Sequence, residues 1–91
     1  MTKADIVKQI SKETGIESTI VLTCIESFMR NVKAALLAGT PVFLRGFGSF
    51  ILKKRAQKTA RNISKNTTLV IPEHNIPAFK PAKSFMAQIK H

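Results

Sequence analysis

One stretch, residues 45–83, limits what this chain can fold into. It opens with RGFGSF at Arg45, passes through a basic run from Lys53 to Lys65 that contains no acidic residue, and returns through LVIPEHNIPAFKPAK. The two ends are rich in strand-forming apolar residues, whereas the middle has almost nothing to bury. The pattern predicts two strands that continue as a long β-ribbon arm reaching away from a folded body.

The positive charge of the chain is concentrated in the same half. The formal net charge is +10; residues 1–44 carry five cations and four acids, a net of +1, whereas residues 45–91 carry ten cations and Glu73 alone, a net of +9. A merely solvated basic surface would distribute its charge more evenly. Positive charge concentrated on an extended element indicates a protein that binds a polyanion.

A chain of 91 residues is expected to form one domain, with a body of residues 1–52 and 73–91 and an arm of residues 53–72. A body this small usually needs a staple or a partner. One cysteine, Cys24, cannot form an internal disulfide, and its apolar neighbours indicate a core residue rather than a redox site. A second subunit is therefore the expected source of the missing core.

The first half predicts a helical hairpin. Thr2 and Asp5 have the spacing of a capping box, so a first helix is expected over residues 3–13 and should end at Gly15. In the second helix, residues 18–38, the apolar side chains cover roughly 200°, against the stripe of about 100° on an ordinary surface helix. Such a helix must be covered on two sides, which predicts a homodimer or a closely related heterodimer.

The rest of the chain predicts three antiparallel strands and a short helix. Gly39 should follow the second helix, and Pro72 should lie at a strand edge or bulge because it cannot donate to a ladder. Phe79 is expected to join Phe47 and Phe50 in the core. The predicted strands are residues 42–44, residues 49–55, and a third strand that resumes at 69–71 and closes the sheet at 76–79; a helix is predicted at 82–90. The fold is thus expected to be α+β, in the order α-α-β-β-β-α, with two strands extended into the arm.

Several motifs together resemble the bacterial HU/IHF family of DNA-bending proteins over essentially the whole chain, most closely HU. The residues that carry the resemblance are Gly39, RGFGSF at 45–50, Arg55, Arg61-Asn62 and PAFKPAK at 77–83. The resemblance implies an intertwined dimer whose two arms embrace double-stranded DNA through the minor groove, as architectural proteins of this kind do. In most relatives a proline immediately after Arg-Asn wedges between base pairs. Here that position is Ile63, while Asn66 and Ala82 replace glycines.

This resemblance assigns DNA-contacting roles to twelve residues. Arg61 and Asn62 are expected at the minor-groove floor, where A·T and T·A pairs are hardly distinguishable, and Ile63 is expected to be the wedge. The expected outcome is binding that is largely independent of sequence and favours flexible, nicked or bent DNA. The full set is Lys53, Lys54, Arg55, Lys58, Arg61, Asn62, Ile63 and Lys65 on the arm, Lys80 and Lys83 on the body, and, with a weaker basis, Lys3 and Arg45.

Other classes of function find less support in the residues. No stretch approaches the roughly 18–20 apolar residues of a membrane span, and MTKADIV lacks a signal core, so a cytoplasmic protein is expected. The resemblance implies that it is associated with the nucleoid. The glycines of RGFGSF lack the following GK[ST] of a phosphate loop. No catalytic constellation or metal-ligand spacing is evident, so neither enzyme activity, cofactor, metal nor small-molecule substrate is expected. An RNA-binding or ribosome-associated protein remains one alternative, and a purely structural subunit of a protein assembly remains another.

Overall fold

The computed structural model describes residues 1–56, 58–62 and 67–90, with side chains described for residues 1–56 and 72–90. Its helices and strands follow the predicted order and confirm the α+β fold. They are α1 (Lys3–Thr14), α2 (Ser18–Leu37), β1 (Val42–Leu44), β2 (Gly48–Arg55), β3 (Lys58–Asn62), β4 (Thr67–Ile71), β5 (His74–Pro81) and α3 (Lys83–Lys90).

Helix α1 begins with the predicted capping box. The backbone N–H of Thr2 donates to Oδ2 of Asp5 at 2.8 Å, and the N–H of Asp5 donates to Oγ1 of Thr2 at 3.4 Å. The Thr2 backbone N–H, and then the Thr2 hydroxyl, lower the pKa of Asp5 below its ordinary value. Because the folded-state pKa is depressed, this contribution to stability is present at neutral pH and is lost as the pH falls through that pKa.

The helical hairpin is closed by its two glycines, as the sequence predicts. Helix α1 ends at Gly15, whose N–H donates to the carbonyl of Ser11 at 2.8 Å. Helix α2 ends in a Schellman motif: Gly39 has a φ of 81°, its N–H donates to Leu36, and the N–H of Thr40 donates to Ala35. The left-handed backbone at residue 39 favours glycine because it has no Cβ to clash.

Strands β1, β2 and β5 form one antiparallel sheet in the order β1-β2-β5. The face of the sheet that packs on α2 is the inner face. Its Phe50 and Phe79 join Phe28 of α2, Phe47 of the β1–β2 turn and Phe85 of α3 in the phenylalanine cluster. The ring of Phe50 meets that of Phe28 on α2 edge-on, with centroids 6.5 Å apart. The rings of Phe47 and Phe50 lie 5.0 and 5.2 Å from that of Phe79, so the three predicted residues do pack together, although Phe47 and Phe79 are 47% and 39% exposed in the single chain. Phe85 on α3 stacks on Phe47 at 5.8 Å.

Strands β3 and β4 form a separate two-stranded ribbon, the arm, paired from Lys58 opposite Ile71 to Asn62 opposite Thr67. Pro72 and Glu73 lie between β4 and β5, so the proline falls at a break in pairing, as expected. The sheet below the break continues to Arg55 opposite His74. The predicted tip residues 63–66 lie outside the described residues, and the division into body and arm at residue 53 stays a prediction.

One copy of the chain has a very small core. Among the described apolar side chains, only Val7 and Val21 are buried, whereas Ile20 is 53% exposed and Leu37 is 89% exposed. The interpretation of Cys24 as a core residue was wrong for the single chain, because Cys24 is exposed on α2 beside Ile20. Within the described part of the chain, no helix is long and apolar enough to cross a bilayer.

Replacing Gly48 by alanine should destabilise the protein by about 1–3 kcal/mol, the usual cost of overpacking a core. A Cβ at this buried position would lie 2.5 Å from Cζ of Phe79 and 2.6 Å from the carbonyl oxygen of Lys80. Urea denaturation at one fixed protein concentration measures the loss. Ser49→Ala on the same strand, facing the other way, is the matched control. Equal denaturation midpoints for wild type and Gly48→Ala would contradict the close approach of β2 and β5.

Candidate nucleic-acid interface

The sheet has a second face, the outer face, which points away from α2. Successive side chains of a strand alternate between faces, so the inward direction of Phe50 sends its neighbours outward. The outer face comprises Phe43, Ser49, Ile51, Lys53 and Arg55 on β1 and β2, and His74, Ile76, Ala78 and Lys80 on β5. None of these side chains is an acid.

Three of the predicted DNA-contacting residues share this outer face. Lys53, Arg55 and Lys80 are all exposed. Lys80 pairs across the strands with Ser49, Lys53 with Ile76 and Arg55 with His74. Nδ1 of His74 in turn lies 3.0 Å from the carbonyl oxygen of Pro72, which holds the ring against the turn into β5. The alternation of the strands thus lines up separate cations of the sequence on one surface.

Lys54 differs from its two neighbours. It is paired in register with Asn75 and lies on the inner face of the sheet. Its Nζ is 2.7 Å from Oε1 of Glu73, and the two side chains remain 70% and 51% exposed. Such an exposed ion pair stabilises a fold by about 0–1 kcal/mol, but it compensates the charge of Lys54 locally. The structure therefore does not bring Lys54 together with Lys53 and Arg55.

Arg45 and Lys83 lie at the end of the sheet, where β1 turns into β2 and α3 begins. With Lys80 they line an open cleft of ≈ 520 Å³ over the outer face. The N–H of Ala82 donates to the carbonyl of Phe47 at 2.9 Å and so fixes the start of α3 against the β1–β2 turn. Arg45 and Lys83, which the sequence left on separate elements, are thereby brought beside Lys80.

Lys3 is placed apart from these residues. It opens α1, and its Nζ is 3.9 Å from Oε1 of Glu26 on α2, with both side chains about half exposed. A contact this long between solvated groups holds the lysine only weakly. Lys3 therefore remains available to an anionic ligand that extends past the sheet.

Of the five predicted DNA-contacting residues of the arm beyond Arg55, the structure describes three, and these only by their backbone. Lys58, Arg61 and Asn62 lie on β3, with Arg61 opposite Thr68 and Asn62 opposite Thr67. Ile63 and Lys65 lie outside the described residues. Arg61 and Asn62 thus lie in the last two described residue pairs of the ribbon. The DNA contacts assigned to these five residues stay predictions.

Phe43 is a residue of this surface that the sequence patterns did not single out. It lies on the outer face and is 72% exposed. A strand of three residues shows too little alternation to reveal which side chain points outward. The register with β2 was needed to separate Phe43 from its inward neighbours Val42 and Leu44.

The described side chains offer little for metal chemistry. Within the described part of the chain, no three histidine, cysteine, aspartate or glutamate residues are grouped so as to hold an ion. The features of the outer face and its edge are cations, the exposed ring of Phe43 and an open cleft. Cations and exposed aromatic rings are groups that bind phosphates and bases.

The chain is similar along its length to a family of known proteins. A family model described as "Bacterial DNA-binding protein" matches residues 1–90. The DNA-binding protein HU of Thermus thermophilus is 34% identical over 90 residues, covering 99% of this chain and 93% of that protein. Integration host factor subunit beta of Marinobacter nauticus is also 34% identical, covering 98% of this chain and 92% of that subunit.

Solved structures give the same result for the fold. The Anabaena HU–DNA cocrystal structure superposes with a TM-score of 0.91 at 26% identity, covering 98% of this chain and 97% of that chain. HU from Thermotoga maritima, at 21% identity and a TM-score of 0.68, shares the fold. From its matched residues and its fold, the chain belongs to the bacterial DNA-binding protein family, the family of HU and of the integration host factor subunits.

Proposed function

We propose that this chain is an architectural protein that binds double-stranded DNA as a dimer, in the minor groove and largely without regard to sequence, and bends it. The observation that carries the proposal is the outer face, where Lys53, Arg55 and Lys80 are exposed with no acid among their neighbours on the sheet. The family consists of DNA-binding proteins rather than enzymes. A bacterial DNA-binding protein of this kind acts in the cytoplasm, on the nucleoid.

A second copy is the proposed cover for the apolar side of α2. Ile20, Phe28, Met29 and Leu37 are all exposed on this helix, and Leu52 of β2 lies beside its end. Covering a large apolar side chain fully stabilises a protein by about 1.5–3 kcal/mol. A dimer of this chain with itself, or with a close relative, therefore supplies the core that one copy lacks and projects two arms from one body.

The residues divide into three proposed roles. Lys53, Arg55, Lys80, Lys83 and Arg45 contact phosphates where the duplex crosses the outer face and its edge. Lys3 contacts a phosphate farther along the duplex. The arm residues Lys58, Arg61, Asn62 and Lys65 follow the minor groove, and Ile63 enters between two base pairs.

The energetics of this arrangement are favourable only if many phosphates are contacted. Bending 20–30 base pairs of DNA by 40–90° costs roughly 1–6 kcal/mol in smooth elastic estimates. Release of counterions from about six to ten neutralised phosphates exceeds that cost at low salt. Few base-edge contacts are needed, and the minor groove distinguishes A·T from T·A poorly, so the protein should tolerate most sequences.

The alternative of an RNA-binding or ribosome-associated protein gains no support from the relatives above, which are named as HU or integration host factor. The cations of the outer face would suit RNA phosphates as well. Competition between a DNA duplex and a structured RNA of equal length separates the two functions. A clear preference for the RNA would replace the proposal.

The affinity for a DNA duplex should fall steeply with salt. If about six to ten phosphates are neutralised, log K should decrease with log salt at a slope of about −5 to −9. Fluorescence anisotropy titrations between 50 and 200 mM salt measure this slope. An unrelated duplex of the same length is the control for sequence tolerance and should give nearly the same slope. A flat salt response would contradict binding through phosphates.

Replacing Lys53 by alanine should weaken DNA binding more than replacing Lys54. Lys53 lies on the outer face, whereas Lys54 lies on the inner face and is paired with Glu73. Each phosphate contact that is lost should reduce the magnitude of the salt slope by about one, so Lys53→Ala should reduce it by about two in a homodimer, with a smaller change for Lys54→Ala. The two variants have equal net charge and adjacent positions, so each is the control for the other. If the two substitutions changed the affinity and the salt slope equally, the face of the sheet on which a lysine lies would not determine whether it contacts DNA.

Replacing Ile63 by alanine should reduce the DNA bend and leave the dimer intact. An apolar side chain that partly unstacks a base step kinks the duplex, and alanine is too short to do so. Energy transfer between dyes at the two ends of the duplex measures the angle. Sedimentation equilibrium of the free protein is the control, in which wild type and variant should both be dimers. An unchanged angle would remove Ile63 from the wedge role, and a monomeric wild type would refute the proposed dimer.

A further inference from the structure

Phe43 is the one phenylalanine outside the phenylalanine cluster. The other five pack within the cluster, with ring centroids between 5.0 and 6.5 Å apart. Phe43 is 72% exposed, and its partner across the strands is Ser49, whose short side chain cannot cover a ring. An exposed aromatic ring beside cations is the arrangement that proteins use as a stacking platform for nucleic-acid bases.

The dimer interface does not account for this ring. Val42 and Leu44 flank Phe43 and lie on the inner face, in register with Phe50 and Gly48. Phe43 therefore points away from α2, the helix whose apolar side needs a second copy. The ring belongs to the same surface as the cations of the proposed DNA interface.

The cleft beside Phe43 has the chemistry of a nucleotide site. Arg45, Lys80 and Lys83 line it together with Phe43 and the hydroxyl-bearing Ser49, and no carboxylate is among its described lining residues. Ser49 lies between Phe43 and Lys80 in one row across the sheet. The backbones of Phe43 and Lys80 are therefore about two strand spacings, or ~10 Å, apart. With ≈ 520 Å³, the cleft has the size of a small-ligand site.

A base inside an intact duplex cannot use this platform, because both of its faces are already stacked on neighbouring pairs. Only an unpaired base, at a gap or in a single-stranded extension, offers a free face to the ring. Its adjacent phosphates then fall among the three cations. The site is therefore selective for the pairing state of the DNA and tolerant of base identity, since every base has a face to stack.

We propose that Phe43 stacks on an unpaired base that enters this cleft, with Arg45, Lys80 and Lys83 contacting its phosphates. The proposal rests on the proposed DNA-binding function and adds to it a residue that determines which DNA structures are preferred. The ligand is a duplex that carries at least one unpaired nucleotide. Each subunit of the dimer contributes one such site.

The test compares two DNAs that share the same base-paired segment, an intact duplex and that duplex with a single-stranded extension, each titrated by fluorescence anisotropy. Phe43→Ala should weaken binding to the extended DNA about 5- to 100-fold, the range found for loss of one base stack, and change binding to the intact duplex much less. Phe43→Trp should retain the preference. Phe43→Leu, which is apolar but has no aromatic face, should lose the preference as Phe43→Ala does. If the alanine variant does not fold, the leucine variant tests the stacking contact.

A second readout follows the base itself. With 2-aminopurine in the extension, its fluorescence should be quenched on binding to the wild type and unquenched with Phe43→Leu. With an abasic nucleotide at that position, the wild type and Phe43→Leu should bind the extended DNA with equal affinity. Equal losses of affinity on both DNAs, or the same quenching with Phe43→Leu as with the wild type, would each overturn the proposal. A wild type that binds the intact duplex normally while showing no preference refutes this site alone, whereas no binding to either DNA refutes the proposed function itself.

Discussion

Burial is the constraint on which this structure depends. A three-stranded sheet on a single long helix leaves only Val7 and Val21 buried among the described apolar side chains. The phenylalanine cluster fixes the sheet on α2, yet Phe28, Phe47 and Phe79 are still partly exposed. Short chains without disulfides gain the missing apolar contact by association. Folding and assembly of this chain are therefore best understood as one process, in which a second subunit completes the core of the first.

Strand alternation lets the same short sheet serve two purposes. Its inner face carries the aromatic side chains that hold α2, and its outer face carries the cations. The separation has a consequence for charge: the one acid of residues 45–91, Glu73, is paired with Lys54 on the inner side and leaves Lys53 and Arg55 uncompensated. The outer face thus carries its cations with no acid beside them on the sheet.

The features that depend on local sequence could be predicted. The capping box of Thr2 and Asp5, the glycine end of α2 and the strand at 42–44 each depend on residues close in the chain. The trio of Phe47, Phe50 and Phe79 also followed from apolar pattern and strand order. The twelve site residues came from charge and resemblance, and local pattern alone could not say which of them share a surface.

Features that depend on register could not be predicted. The register of β2 with β1 and β5 decides which side chains point inward and which outward. It places Lys54 on the inner face, where it pairs with Glu73, and Phe43 on the outer face. A shift of one residue would exchange the faces of every side chain. The exposure of Cys24 was missed for another reason: an apolar arc on a helix shows that cover is needed, but not whether the same chain provides it.

The break at Pro72 and Glu73 has an implication for how such a protein can diversify. The hydrogen-bonded ladder of β2 with β5 ends at Arg55 and His74, and a separate ladder of β3 with β4 begins at Lys58 and Ile71. Because a proline cannot donate across that junction, neither ladder needs the other to be complete. Mutations in the distal ribbon can then accumulate without penalty to the scaffold, which makes the arm the part of the molecule freest to acquire new preferences among its ligands.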